Sequence, residues 1–176
     1  MDLFEKILES YGAQKRNVRE YPPLVLAYIG DAIYEVYVRT LLVCTKNVPV
    51  HQLHKESIKY VKAKAQSDII HRISEFLTEE EKEIVRRGRN AKSGTIPKNA
   101  DVIEYKYATG FEALCGYLYL KKDYERLDKI FKMAIDENYI DKQEDFDEVN
   151  GIVMQEDTDA DIDKNDLHPA NLDNGV

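Results

Sequence analysis

The chain has 176 residues, of which 43% are apolar and 33% are charged, enough for one domain with its own core and a polar tail. No stretch approaches the roughly 18 uncharged apolar residues of a membrane span, so we expect neither a transmembrane helix nor a membrane partner. The net charge of −8 is uneven, because residues 141–176 hold 12 acidic and 2 basic residues whereas residues 1–140 carry a net +2. A mildly basic body is compatible with a nucleic-acid partner.

The spacing of apolar residues predicts an all-α fold without strands. Thr78 with Glu81 three residues later is typical of a helix start, and Asp101 is a candidate cap. The segment 88–100 is polar and predicted to be a loop, and the Asp-rich segment from 141 is predicted to be disordered. The predicted helices cover 3–11, 22–43, 50–76, 79–88, 102–120 and 123–138.

Two cysteines, Cys44 and Cys115, both lie in apolar runs. This placement predicts buried, reduced thiols rather than the disulfides of a secreted protein. The first residues lack a basic segment followed by an apolar one, so no signal peptide is expected. We therefore predict a cytoplasmic location.

Asp31 lies in the middle of a helix that is apolar nearly all round in its first half and is therefore predicted to be buried on most sides. A buried carboxylate must be paired, hydrogen-bonded or bound to a metal, because burial of an isolated charge is very costly. The only charged residue on its own helix face is Glu35, which has the same sign. Two interpretations remain open: a structural aspartate bonded to an arginine or to backbone amides, and a metal-binding or catalytic residue.

Glu112 repeats this arrangement in a second apolar helix, with small residues beside it. Gly30, Gly110 and Gly116 each cost about 1 kcal/mol of helix propensity, which indicates close helix packing. We therefore infer that two buried helices meet at small residues and that each presents one carboxylate. Two facing acids repel unless a cation lies between them, and Mg²⁺ accepts one or two carboxylates together with water and phosphate oxygens.

The segment from Arg86 to Asn99 contains five basic residues and no acid. Arginine, lysine and small polar side chains are the groups that contact phosphate and sugar in nucleic acids. A solvated surface loop is the alternative interpretation. The candidate nucleic-acid-binding residues are Arg86, Arg87, Arg89, Asn90, Lys92, Ser93, Thr95 and Lys98.

Taken together, three segments resemble the ribonuclease III catalytic domain, and more closely its short bacterial form without a double-stranded RNA-binding domain, mini-ribonuclease III. The matching residues are 26–39, 87–99 and 111–118, and the resemblance covers about 20–138. Where full-length ribonuclease III enzymes carry further acids, this chain has Leu24, Ala27 and Thr109.

The resemblance implies a homodimeric all-α helical bundle. We predict that residues 1–140 form this catalytic domain and that the acidic segment 141–176 is a tail outside it. The resemblance also implies Mg²⁺-dependent cleavage of double-stranded RNA, with Asp31 and Glu112 as catalytic and metal-binding residues and a 5′ phosphate on the product. For the short form, it implies maturation of the ends of the 23S ribosomal RNA precursor, with a ribosomal protein on that RNA as a further partner.

Three hypotheses follow from these features. The first is the endoribonuclease. The second is a non-catalytic helical factor that binds RNA or assists ribosome assembly. The third is a helical interaction module whose acids are structural.

Overall fold

The computed structural model describes residues 3–12, 16–92 and 101–136, and over these residues it confirms an all-α fold without strands. None of the helices in this part of the chain has both the length and the apolarity needed to cross a bilayer. The predicted tail 141–176 lies outside the described residues. The helices are α1 (Leu3–Ser10), α2 (Pro23–Thr45), α3 (Val50–Val61), α4 (Ala63–Ile73), α5 (Glu79–Arg89), α6 (Val102–Lys121) and α7 (Tyr124–Ile135), with short 3₁₀ turns at Val18–Glu20 and Ser74–Phe76.

Helix α6 is the centre of the bundle, and α2, α4 and α5 all pack against it. Its middle, from Ala108 to Leu118, is buried except at Glu112. The aromatic core joins three helices, since the ring of Tyr34 on α2 contacts Phe111 on α6 at 4.9 Å and Phe131 on α7 at 5.4 Å between centroids. The core therefore fixes α2 and α6 side by side.

The predicted helix starts at Thr78 and Asp101 are both confirmed. Thr78 and Glu81 form a reciprocal capping box on α5, and Asp101 accepts hydrogen bonds from the backbone N–H groups of Ile103 and Glu104 on α6. Glu81 is buried and also receives two hydrogen bonds from Arg126 of α7, at 2.7 and 2.8 Å. The cap thus links α5 to α7.

The single helix predicted over 50–76 is wrong, because the chain forms two helices separated at Lys62. Lys62 has an extended backbone with ψ of 149°. Helix α3 packs mainly on α2 and α4 mainly on α6. One straight helix could not follow both neighbours, and hydrophobic spacing alone does not show which neighbour a stripe will meet.

Two predictions of burial are wrong. Cys44 is exposed, although Cys115 is buried as expected. Helix α2 is buried only on its inner face, while Tyr28 is 82% exposed and Val36 is 62% exposed on its outer face. A long apolar run shows that a helix is hydrophobic but does not show whether its second face is covered within one chain or remains exposed.

Candidate active site

The site lies where α2 crosses α6, and two glycines permit that crossing. A Cβ atom at Gly30 would overlap the backbone carbonyl oxygen of Glu112, and one at Gly116 would overlap the carbonyl oxygen of Leu26. This bears out the close approach inferred from the small residues. Because Gly30 precedes Asp31 and Gly116 is one turn after Glu112, the crossing brings the two acidic positions to the same junction.

Asp31 and Glu112 line one cavity of about 420 Å³ at this junction, together with Tyr28 and Tyr105. Both carboxylates are half-buried rather than fully enclosed. Neither forms an ion pair with any residue in the described part of the chain. The structure therefore does not support the interpretation of Asp31 as the partner of an arginine.

The two carboxylates resist ionisation. Burial, and then the neighbouring charge of Asp31, raise the pKa of Glu112 to about 8. Burial, followed by the charge of Glu35, raises the pKa of Asp31. Glu35 itself pairs with Arg39 at 2.7 Å. A junction that disfavours two negative charges is prepared to accept a cation.

Gln66 of α4 is a third polar residue at the site, and it was not among the residues predicted from the sequence. Gln66 is 1% exposed. Its amide favours the ionised form of Glu112 and so lowers the pKa of that carboxyl, but the opposite effect of burial is larger. Its Nε2 atom makes no hydrogen bond of ordinary geometry with described residues. The sequence held a signal, because Gln66 is in register with the buried stripe of Ile69, Ile70 and Ile73.

The cavity holds only two acids among its described lining residues. The three positions at which full-length ribonuclease III enzymes carry further acids all line it, as Leu24, Ala27 and Thr109. In the described ranges, no cluster of three or more histidine, cysteine or acidic side chains could hold a metal. The protein donor set here is therefore two carboxylates.

The basic segment from Arg86 to Asn99 begins within helix α5, which ends at Arg89. Arg86, Arg87 and Arg89 lie in the last turn of α5, where cations interact favourably with the helix dipole. Arg87 donates to the carbonyl oxygens of Arg19 and Tyr21, and so braces the segment before α2 against α5.

The remaining candidate RNA-binding residues follow the helix. Asn90 caps α5, and Lys92 is exposed just beyond it. Ser93, Thr95 and Lys98 lie outside the described residues. The structure thus places Arg86, Arg87 and Arg89 at the end of α5 and Lys92 just after it.

Comparison with known proteins decides the family. The model of the ribonuclease III domain matches residues 24–123, which include both acids and the basic segment. The chain belongs to the ribonuclease III domain family.

Similar proteins place the chain with the short members of this family. It is 58% identical to mini-ribonuclease 3 of a Thermoanaerobacter species, over 69% of this chain and 85% of that protein. It is 49% identical to mini-ribonuclease 3 of Clostridium tetani, over 69% of this chain and 81% of that protein. A crystal structure of a Fusobacterium nucleatum protein matches with a TM-score of 0.62 and 38% identity, covering 68% of this chain and 96% of the other.

Membership in this family confirms the first hypothesis of the sequence analysis. The chain is an endoribonuclease of the ribonuclease III class, which acts on double-stranded RNA. A non-catalytic RNA-binding factor and a non-enzymatic interaction module are therefore not needed to account for its motifs. The roles of Asp31 and Glu112 stay predictions.

Proposed function

We propose that this ribonuclease III domain cleaves double-stranded RNA by Mg²⁺-dependent hydrolysis at Asp31 and Glu112, leaving a 5′ phosphate. The observation that carries the proposal is the meeting of two half-buried carboxylates at one cavity, with no ion-pair partner among the described residues. Such a cavity with convergent acids of perturbed pKa is a candidate active site on physical grounds alone.

The donor set fits Mg²⁺. This ion commonly uses one or two carboxylates and completes its coordination with water and substrate phosphate oxygens. Asp31 and Glu112 would be the protein ligands, and the open cavity of about 420 Å³ leaves room for the other ligands. When bound, Mg²⁺ would supply activation of a water and stabilisation of the charge that develops on the scissile phosphate.

The protein residues have three tasks in this reaction. Helices α2 and α6 hold the two carboxylates at a fixed separation through the Gly30 and Gly116 contacts. Glu112 releases its proton so that both acids can act as ligands. The basic end of α5 binds the RNA backbone and sets the duplex over the cavity.

Recognition of the duplex rests on backbone contacts. A-form RNA is recognised mainly by shape, phosphate and 2′-OH groups, because side chains cannot read its deep major groove. We assign these contacts to Arg86, Arg89, Asn90 and Lys92, with Ser93, Thr95 and Lys98 from the adjoining segment. Arg87 acts mainly as a brace, since its guanidinium is engaged with backbone carbonyls.

A homodimer would place two such sites on one duplex, one for each strand. The outer face of α2 supports this, because Tyr28, Ala32 and Val36 follow one another at four-residue spacing and are all exposed. An apolar stripe of this kind is typical of an interface. Its occupant in our proposal is the same stripe of a second copy.

The resemblance to mini-ribonuclease III leads us to propose the 23S ribosomal RNA precursor as the natural substrate. A ribosomal protein bound to that RNA would be a further partner, and the cytoplasm the location. Both cysteines are free, as expected in a reducing compartment.

The test is cleavage of a plain RNA duplex by the purified full chain, with Mg²⁺ and with EDTA. We expect Mg²⁺-dependent cutting, and a loss of at least about 100-fold in rate for Asp31→Asn, which removes one of the proposed ligands. Duplex binding by the variant should persist. Asp128→Asn is the matched control, since Asp128 is half-buried on α7, pairs with Lys132 and does not line the cavity.

Three outcomes would contradict the proposal: cutting in EDTA, wild-type cutting by Asp31→Asn, or an equal loss in Asp128→Asn. If the plain duplex is bound but not cut, precursor 23S ribosomal RNA replaces it in the same assay. Failure to cut both RNAs would refute the assigned substrate class.

A further inference from the structure

A stack of three side chains lies at the junction of α4, α5 and α6, and none of the three lines the carboxylate cavity. The ring of His71 on α4 packs on Tyr107 of α6 with 4.1 Å between centroids. The guanidinium of Arg89, at the end of α5, lies 5.3 Å from the centroid of the same tyrosine ring. Arg89 also donates a hydrogen bond from Nη1 to the Tyr107 hydroxyl at 3.1 Å.

His71 is itself fixed in this stack. Its Nδ1 atom lies 2.7 Å from the carbonyl oxygen of Ser67, one turn earlier in α4. A carbonyl only accepts, so Nδ1 carries the proton and the ring plane is set by the helix. The histidine ring therefore supports Tyr107, and Tyr107 in turn supports Arg89.

The surroundings of Arg89 favour an anion. It lines a cavity of about 300 Å³ together with Lys82 and Arg86, and no acidic side chain is among the described lining residues. Lys82 and Arg86 pair with Glu79 and Glu83. Arg89 forms no ion pair with described residues. Its Nε donates to Oδ1 of Asn90 at 3.4 Å and its Nη1 to Tyr107, which leaves the Nη2 amino group available to a phosphate.

We propose that Tyr107, supported by His71, is a positioning residue that aims the Arg89 guanidinium at a phosphate of the RNA duplex. The inference rests on the proposed function, in which the end of α5 binds the RNA backbone. The new element is that residues at the junction of α4, α5 and α6 orient Arg89 for this phosphate contact. An arginine held by a hydroxyl and a ring face loses less conformational freedom when it binds than a free arginine would.

The test is a double-mutant cycle on duplex RNA binding, with every protein carrying Asp31→Asn so that the RNA stays intact. Arg89→Ala should weaken binding roughly tenfold and reduce the dependence on salt, since a phosphate contact is lost. Tyr107→Phe keeps the ring but removes the hydroxyl, and should weaken binding roughly threefold to fivefold, the usual effect of one hydrogen bond. Tyr107→Phe should cost nothing further once Arg89→Ala is present.

Two more variants sharpen the result. Tyr60→Phe removes the same hydroxyl from another half-buried tyrosine and should leave affinity unchanged. Arg89→Lys keeps the charge but lacks the planar fork that meets Tyr107, so it should match Tyr107→Phe in affinity while retaining the wild-type salt dependence. This variant also provides the test if Tyr107→Phe fails to fold in thermal unfolding.

Additive effects of Tyr107→Phe and Arg89→Ala would overturn the inference, as would wild-type affinity of Arg89→Lys. These failures are distinct from failure of the proposed function, because the cleavage assay with Asp31→Asn uses no variant at this junction. A protein that cuts RNA yet shows additive effects would keep its function and lose this positioning role.

Discussion

Glu112 illustrates the conflict between stability and function at the scale of one residue. Its pKa is raised to about 8, from an ordinary value of 4.5, by burial and then by Asp31. As the pH rises from 4.5 to 8, the unfolded chain releases this proton while the folded chain retains it. The folded state therefore loses stability through this window, and the cost is complete above pH 8.

We predict that Glu112→Gln stabilises the metal-free protein at pH 8. The variant removes a charge that the site disfavours. The rise in pKa from 4.5 to about 8, at about 1.4 kcal/mol per pKa unit, gives a cost of at most about 5 kcal/mol, and solvent screening in the open cavity reduces it to on the order of 3 kcal/mol. Thermal unfolding in EDTA should show a rise of roughly 5–10 °C at pH 8. The rise should shrink at pH 5, where Glu112 is protonated in the folded wild-type protein.

Glu104→Gln is the control for this comparison, because it removes a carboxylate from the first turn of the same helix, outside the cavity. Loss of stability in Glu112→Gln at pH 8 would show that the acid is structural. That result would contradict the assignment of Glu112 as a metal ligand.

At the scale of helices, the sequence was sufficient where local chemistry decides the outcome. The caps at Thr78 and Asp101 follow from side chains that reach nearby backbone N–H groups, and no tertiary information is needed. The glycines of α2 and α6 were recognisable because glycine is costly in a helix and needs a compensating contact. The observed overlap of a Cβ atom at Gly30 with the Glu112 carbonyl oxygen supplies that reason.

Predictions failed where the outcome depends on which surface a helix meets. Cys44 follows Leu42 by two residues, which places it about 200° around the helix from that buried leucine. Leu42 and Cys44 therefore belong to opposite faces of α2, although both lie in one apolar run. The stack of His71 and Tyr107 was equally hidden, since the two residues are 36 positions apart and no spacing rule connects them.

The candidate site was predictable in its acids but not in its surroundings. Asp31 and Glu112 were conspicuous as single charges in apolar helices. Gln66 was overlooked, because an uncharged polar residue on a helix is ordinarily solvent-exposed. Its contribution becomes visible only when α4 is packed against α6.

At the scale of the whole molecule, the exposed stripe on α2 predicts self-association. Val36→Glu introduces a charge into the stripe and should convert a dimer to a monomer. The monomer should then cut one strand of a duplex per binding event instead of both. Sedimentation velocity measures the mass in solution. Ile58→Glu is the control, since Ile58 is 56% exposed on α3 and lies off the stripe.

A monomeric wild-type protein would contradict the proposed homodimer. Dissociation by Ile58→Glu to the same extent as by Val36→Glu would instead refute the assigned surface.

We propose that Asp31 and Glu112 together bind one catalytic cation, and calorimetric titration with Mg²⁺ is the first measurement to make. Because the ion must displace the Glu112 proton, we predict release of up to one proton on binding and an affinity that rises severalfold, at most about tenfold, between pH 7 and pH 8. Asp31→Asn and Glu112→Gln should each abolish this binding. Mg²⁺ binding that is independent of pH, or retained in both variants, would show that Asp31 and Glu112 are not the ligands of the ion.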